Sequence, residues 1–175
     1  MVSLLLPESK EDSRGQYGSD QSLCGVGKER GATLGTVTLA DILVTPLAMV
    51  PAKGGSVMHA IKKSSSGYSD FGEAYFSWVA LGAVKAWKKH KQMVMNLIVP
   101  VGCVRFVFWL EDKDDFRVEE IGVDRYSRIT VPPSVWFGFQ GLATPQSLVL
   151  NIASIPHDPN EVDRLESAQI KYDWN

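Results

Sequence analysis

The chain has little of what usually announces a function. Of its 175 residues two are cysteines, Cys24 and Cys103, and three are histidines. Two cysteines cannot make a disulfide framework. Cys24 sits in a Gly/Ser-rich stretch and Cys103 in an apolar one, which reads as free thiols in a reducing compartment. Neither has a CxxC or Cys–His neighbour, so no thiolate metal site is expected. The net charge is −2, from 18 basic and 20 acidic residues, so no whole-molecule field draws nucleic acid or an anionic membrane. No apolar run approaches the roughly 18 residues of a membrane span, and the short run in MVSLLLPESK falls short of a secretory signal. The expected location is the cytoplasm. GxGxxG, GxxxxGK[ST], HExxH and GxSxG are all missing, which removes the usual signatures of dehydrogenases, nucleotide hydrolases, zinc proteases and serine hydrolases.

What is present is an ordinary globular composition, 45% apolar and 22% charged, in a chain long enough for one domain with a proper core. Residues 1 to about 35 are rich in Gly, Ser, Asp and Glu without periodicity, and predict a disordered leader with order beginning near Leu39–Leu47. The domain then runs over 36–175. A strand is expected at Ile42–Leu47, a turn at PAKGG, and a second strand at Val57–Lys62 before the SSSG turn. From Phe71 short strands crowd together: Phe71–Ala80, Ala83–His90, Met93–Val99, Val104–Glu111, Glu119–Gly122, Ser127–Val131, Val135–Phe139 and Leu148–Ile155. Gly, Pro or charged turns separate them at about ten-residue spacing. Glu111–Glu120, with six acids and two bases, reads as a solvated hairpin loop. Asn160–Ala168 reads as a short C-terminal helix exposing Glu161, Arg164 and Glu166, with KYDWN folding its aromatics back on the body. The pattern is all-β, a sandwich or jelly-roll barrel.

The candidate chemistry lies in GAVKAWKKHKQMVMNLIVPVG, Gly82 to Gly102. Lys88 and His90 are two apart on one strand, so their side chains leave the same face. A cation beside an imidazole in an apolar sheet needs water, a partner or a ligand.

GEAYFSWVALGAVKAWKKHK, VPPSVWFGFQGL and SLVLNIASIPHDPNEVDR together resemble the cupins, and within them the RmlC-like nucleotide-sugar branch of dTDP-4-dehydrorhamnose 3,5-epimerases and dTDP-sugar 3,4-ketoisomerases. The resemblance runs from about Leu43 to Trp174. Metal-binding cupins carry HxH, a Glu and a later His; here the first pair reads Lys88–Lys89–His90 and the later position is Phe137. One imidazole cannot hold a divalent ion, so neither metal nor other cofactor is expected, in keeping with the metal-free sugar branch. Laid on that branch's R-G-x-H-A-H-K pattern, its Arg falls at Lys85, its first His at Lys88, its second His at His90, and Lys91 follows. The late tyrosine of the epimerases has no counterpart; Asn151 and His157 stand in that region.

The resemblance implies a nucleotide-linked 4-keto-6-deoxy sugar as substrate, in polysaccharide or glycoside biosynthesis, and a homodimer formed by strand exchange near Val57–Lys62. Epimerisation beside the C4 carbonyl needs a base, a cation for the enolate, and an acid on the opposite face. His90 is the expected base, since imidazole titrates near neutrality and a like-charged Lys88 favours its neutral form. Lys88 or Lys85 would hold the enolate oxygen or the diphosphate, as a point charge. Tyr75 is the expected acid, with Glu73 and Ser77 sharing its face. Lys91 and Asn151 complete the expected substrate contacts, and Trp136 or Phe139 is a stacking surface for the base. His59 reads as structural and His157 as a turn residue. The alternatives are a 3,4-ketoisomerase, favoured by the KxHK pattern Lys88–Lys91, and a barrel that binds a sugar nucleotide without turning it over.

Overall fold

A computed structural model describes residues 36–175; the expected leader and Cys24 lie outside them. Twelve strands follow one another: β1 Leu43–Pro46, β2 Met49–Ala52, β3 Gly55–Met58, β4 Glu73–Ala80, β5 Val84–His90, β6 Met95–Val101, β7 Cys103–Leu110, β8 Asp115–Gly122, β9 Ser127–Val131, β10 Trp136–Gly141, β11 Gln146–Ala153 and β12 Val162–Arg164. Two antiparallel five-stranded sheets form the body, one in the order β1-β9-β6-β11-β4 and the other β12-β5-β10-β7-β8. The jelly-roll expectation therefore holds. β2 and β3 make a separate hairpin around the expected PAKGG turn.

Alternation dictates the layers. Val104, Phe106 and Phe108 of β7 point inward against Leu97 and Val99 of β6, Ile129 and Val131 of β9, and Val149 of β11. Each such side chain stabilises the fold by about 1.5–3 kcal/mol through burial. The outer face of the second sheet is not left wet. Trp87, Val107 and Trp136 pack there with Ile170, Tyr172 and Trp174, so KYDWN does fold back. On the outer face of the first sheet, Ile98, Tyr126 and Ile152 lie under Leu47, Met58 and Ile61. Buried Arg128 donates there to the carbonyls of Ala60 and Ser66 and to Thr130 Oγ1.

Two expectations fail for tertiary reasons. Asn160–Ala168 is not an α-helix: a 3₁₀ turn at Pro159–Glu161 leads into β12, and a second 3₁₀ turn covers Ser167–Gln169. β12 pairs with β5, Val162 opposite His90 and Arg164 opposite Lys88, and this ladder overrides local helix propensity. The charged run is a loop only at its tip. From Asp115 it pairs residue by residue with β7, with Arg105 facing Glu120 and joined to it at 2.8 Å.

One irregularity positions the site. Between Phe137↔Lys88 and Phe139↔Lys85, β10 advances two residues while β5 advances three. The extra residue on β5 is a β-bulge. Ala86 and Trp87 both turn to the outer aromatic cluster, and Lys85 comes to the inner face occupied by Lys88 and His90. Gly138 lies opposite, where a Cβ would stand 2.6 Å from Ala86 Cβ.

Candidate active site

A cavity of about 140 Å³ opens between the two sheets, lined by Tyr75 and Ser77 of β4, Lys85, Lys88 and His90 of β5, Met95 and Leu97 of β6, Phe137 and Phe139 of β10, and Val149 and Asn151 of β11. Seven of the ten residues expected to act here line it: His90, Lys88, Tyr75, Ser77, Lys85, Phe139 and Asn151. The other three do not. Trp136 points to the opposite side of β10, buried in the aromatic cluster, because alternation turns its neighbour Phe137 inward. Lys91 bonds the Asn160 carbonyl at 3.0 Å and Asp163 at 3.3 Å, away from the cavity. Glu73 opens β4 on the face of Tyr75 but short of the lining. His157 is exposed, and His59 lines a different, larger cavity beside Arg128. In that cavity the guanidinium is already donated to the chain segment that covers it.

His90 is 7% exposed, and its Nδ1 lies 2.6 Å from Glu161 Oε2. Glu161 is itself 7% exposed. Its other oxygen accepts from the backbone N–H of Gln92 at 2.7 Å and of Met93 at 2.8 Å. Burial acts to raise the Glu161 pKa, but the hydrogen bonds from His90, Gln92 and Met93 outweigh it and hold the carboxyl below its ordinary value. An ionised Glu161 accepts only, so Nδ1 carries the hydrogen and donates, and Nε2 is left free to take a proton. The sequence reading missed this residue and put it on an exposed helix face. It lies 71 positions from His90, and only the β5–β12 ladder joins them.

Tyr75 and Asn151 face each other across the β4–β11 ladder. Asn151 Nδ2 donates to the Tyr75 hydroxyl at 3.0 Å, so the phenol keeps its own hydrogen to give elsewhere. Asn151 is 3% exposed, and its Oδ1 has no partner among the described residues. A buried acceptor without a donor is costly, and this one borders the cavity. Lys85 Nζ donates to Ser77 Oγ at 2.8 Å and to the Trp78 carbonyl at 2.7 Å, tying β5 to β4 at the cavity mouth. Lys88 keeps solvent contact. Even so, partial burial, then Arg164 and Lys85, push its pKa below the ordinary lysine value. Among the described residues no group of three or more His, Cys, Asp or Glu side chains is arranged to hold a metal ion. The cavity's one imidazole and the carboxylate behind it are committed to each other.

The chain is similar to a dTDP sugar isomerase from Desulfovibrio desulfuricans G20, with 34% identity and a TM-score of 0.72 over 76% of this chain and 90% of the other. It is similar in fold to QdtA, a sugar 3,4-ketoisomerase from Thermoanaerobacterium thermosaccharolyticum solved with TDP, at 19% identity and a TM-score of 0.64 over 76% and 94%. A dTDP-4-dehydrorhamnose 3,5-epimerase from Sulfolobus tokodaii shares the fold at 17% identity and a TM-score of 0.65 over 75% and 80%. No protein-family model and no curated protein matches the chain. A jelly-roll whose cavity joins an imidazole–carboxylate pair to lysines and a tyrosine, and which shares a third of its residues with a dTDP-sugar isomerase over nine-tenths of that protein, belongs to the RmlC-like dTDP-sugar isomerase family.

Proposed function

We propose that the chain epimerises a nucleotide-linked 4-keto-6-deoxy sugar at a carbon next to the C4 carbonyl. The observation that carries this reading is the pairing of His90, backed by Glu161, with Tyr75 on the facing sheet. His90 Nε2 takes the proton from C3 or C5, since imidazole is matched to neutral pH. Lys85 and Lys88 steady the charge that moves onto the carbonyl oxygen. Tyr75 returns a proton from the other wall, and a proton removed on one face and returned on the other inverts the carbon. Asn151 Oδ1 accepts from a sugar hydroxyl. A cavity of about 140 Å³ is well below the roughly 300–1,000 Å³ that encloses a drug-sized ligand. It therefore takes the sugar ring, and the diphosphate and base lie at the mouth beside Lys85.

The runner-up, a 3,4-ketoisomerase, uses the same base and cations and is supported by the likeness to QdtA. It has no need of an acid on the opposite wall, and Tyr75 is what favours epimerisation. NMR of dTDP-4-keto-6-deoxyglucose in deuterated water separates the readings. Deuterium at C3 or C5 is expected, and its loss in His90→Asn with dTDP binding intact. A 3-keto product identifies the ketoisomerase, and binding without any exchange leaves a sugar-nucleotide-binding barrel.

A homodimer and a cytoplasmic setting in glycoside or polysaccharide biosynthesis belong to the same reading. For the dimer, β4 has one edge unpaired among the described residues and shows Phe76 at 62% and Trp78 at 51% exposure on its outer face. The β2–β3 hairpin is exposed along nearly its whole length. Such edges and patches call for cover. Light scattering at the mass of two chains is the expected result, and a monomer mass removes the dimer.

A further inference from the structure

The cavity wall is divided by chemical type. β4 and β5 bring polar side chains to one side of it, Tyr75, Ser77, Lys85, Lys88 and His90. β6 and β10 bring Met95, Leu97, Phe137 and Phe139 to the other. Asn151 of β11 stands on the boundary, opposite Tyr75 on one flanking strand and Leu97 on the other. It is 3% exposed. Its Nδ2 donates to the Tyr75 hydroxyl at 3.0 Å, and its Oδ1 has no partner among the described residues. One buried amide thus ties the acid of the site to an acceptor that still lacks a donor. A 4-keto-6-deoxy sugar is divided in the same way about its carbonyl. C3 carries a hydroxyl, whereas C5 carries the C6 methyl and no hydroxyl.

We infer that Asn151 selects C3 over C5 as the carbon inverted, by accepting from the C3 hydroxyl while it holds Tyr75 beside that carbon. This rests on the epimerase reading above and names the stereocentre. Oδ1 and Nδ2 belong to one planar amide, so a hydroxyl held by the first brings the carbon that bears it near the phenol held by the second. The apolar side takes C5 and its methyl, where a sugar hydroxyl would be buried without a partner. His90 Nε2 takes the C3 proton, and the electron pair moves onto the C4 oxygen beside Lys85 and Lys88. As the C4 carbonyl re-forms, Tyr75 returns its proton to C3 from the facing sheet. Nδ2 goes on donating to the phenolate this leaves, until solvent resets the protons on Tyr75 and His90. C5 keeps its configuration because no acceptor draws it between base and acid.

The full chain is incubated with dTDP-4-keto-6-deoxyglucose in deuterated water, and NMR reads each carbon separately. Deuterium at C3 with inversion there is expected, at least ~10-fold faster than any at C5. The native chain alone decides the carbon, so this reading does not depend on a variant folding. A cycle of Asn151→Leu against the analogue lacking the C3 hydroxyl then tests the contact itself. The native chain should prefer the hydroxylated sugar by about 10- to 100-fold more than Asn151→Leu does, the scale of one buried hydrogen bond. Exchange confined to C5, like rates at both carbons, or an equal preference in the two chains overturns the inference and leaves the epimerase reading standing. No exchange with dTDP bound, or a 3-keto product, overturns both.

Discussion

Replacing Glu161 by Gln tests the core of the site with the least change of shape. In the native chain the carboxylate takes three donors: His90 Nδ1 at 2.6 Å, Gln92 N at 2.7 Å and Met93 N at 2.8 Å. A glutamine can still offer its carbonyl oxygen to the two backbone donors, but its NH₂ then faces Nδ1. Donor cannot face donor, so Nδ1 gives up its hydrogen to accept, and the hydrogen moves to Nε2. The ring now presents an N–H to the cavity where it must take a proton. Two effects add: loss of a charge-assisted hydrogen bond, about 1.5–3 kcal/mol, and the cost of returning the ring to its reactive tautomer. At 1.36 kcal/mol per decade, a total of about 2–4 kcal/mol lowers kcat by roughly 30- to 1,000-fold. KM should hold within a few-fold, because Glu161 does not line the cavity. Deuterium exchange into the sugar measures the rate, and ¹⁵N shifts of the His90 ring report the tautomer directly. A Glu161→Gln variant within threefold of native kcat, or one whose ring keeps its hydrogen on Nδ1, refutes the reasoning.

Glu161 also sets an acid limit on the fold. Its pKa is lower folded than unfolded, so its contribution is fully present above the unfolded value of about 4.3. It is lost as pH falls through the folded value. Thermal melts from pH 7 down to 3 should show Tm falling below about pH 5 more steeply in the native chain than in Glu161→Gln; parallel curves contradict this. At the bulge, Gly138→Ala puts a Cβ 2.6 Å from Ala86 Cβ, and relieving it should cost about 1–3 kcal/mol. Adding Ala86→Gly should recover most of the lost Tm, and an unaffected Gly138→Ala melt removes the close-approach argument.

The fold was legible in the sequence because its strands carry β-branched and aromatic residues between Gly and Pro turns, and Ser127–Val131 matches to the residue. The site was legible wherever alternation alone decides facing. Lys88 with His90, and Tyr75 with Ser77, each stand two apart and each share the cavity. Lys85 is three from Lys88, so alternation puts it on the wrong face; only the resemblance pointed to it, and the bulge explains why that pointer was good. Trp136 is an aromatic able to stack, yet the parity of β10 places Phe137 inside and Trp136 outside. Glu161 was lost because its charge and spacing look helical locally. Its true neighbours are on a strand 71 positions earlier, and no local pattern encodes that meeting.

The bulge on β5 has a consequence for comparing this barrel with others. Because one surplus residue separates Lys85 from Lys88, their shared wall is a matter of counting, not of chemical type. Aligning this stretch against a relative without the surplus residue, gap-free, would match Lys85 to a side chain directed out of the barrel. Removing Ala86 alone would make β5 regular, with Lys85 two places from Lys88 and still on the cavity wall, so the fastening of β5 to β4 should survive the loss of the bulge.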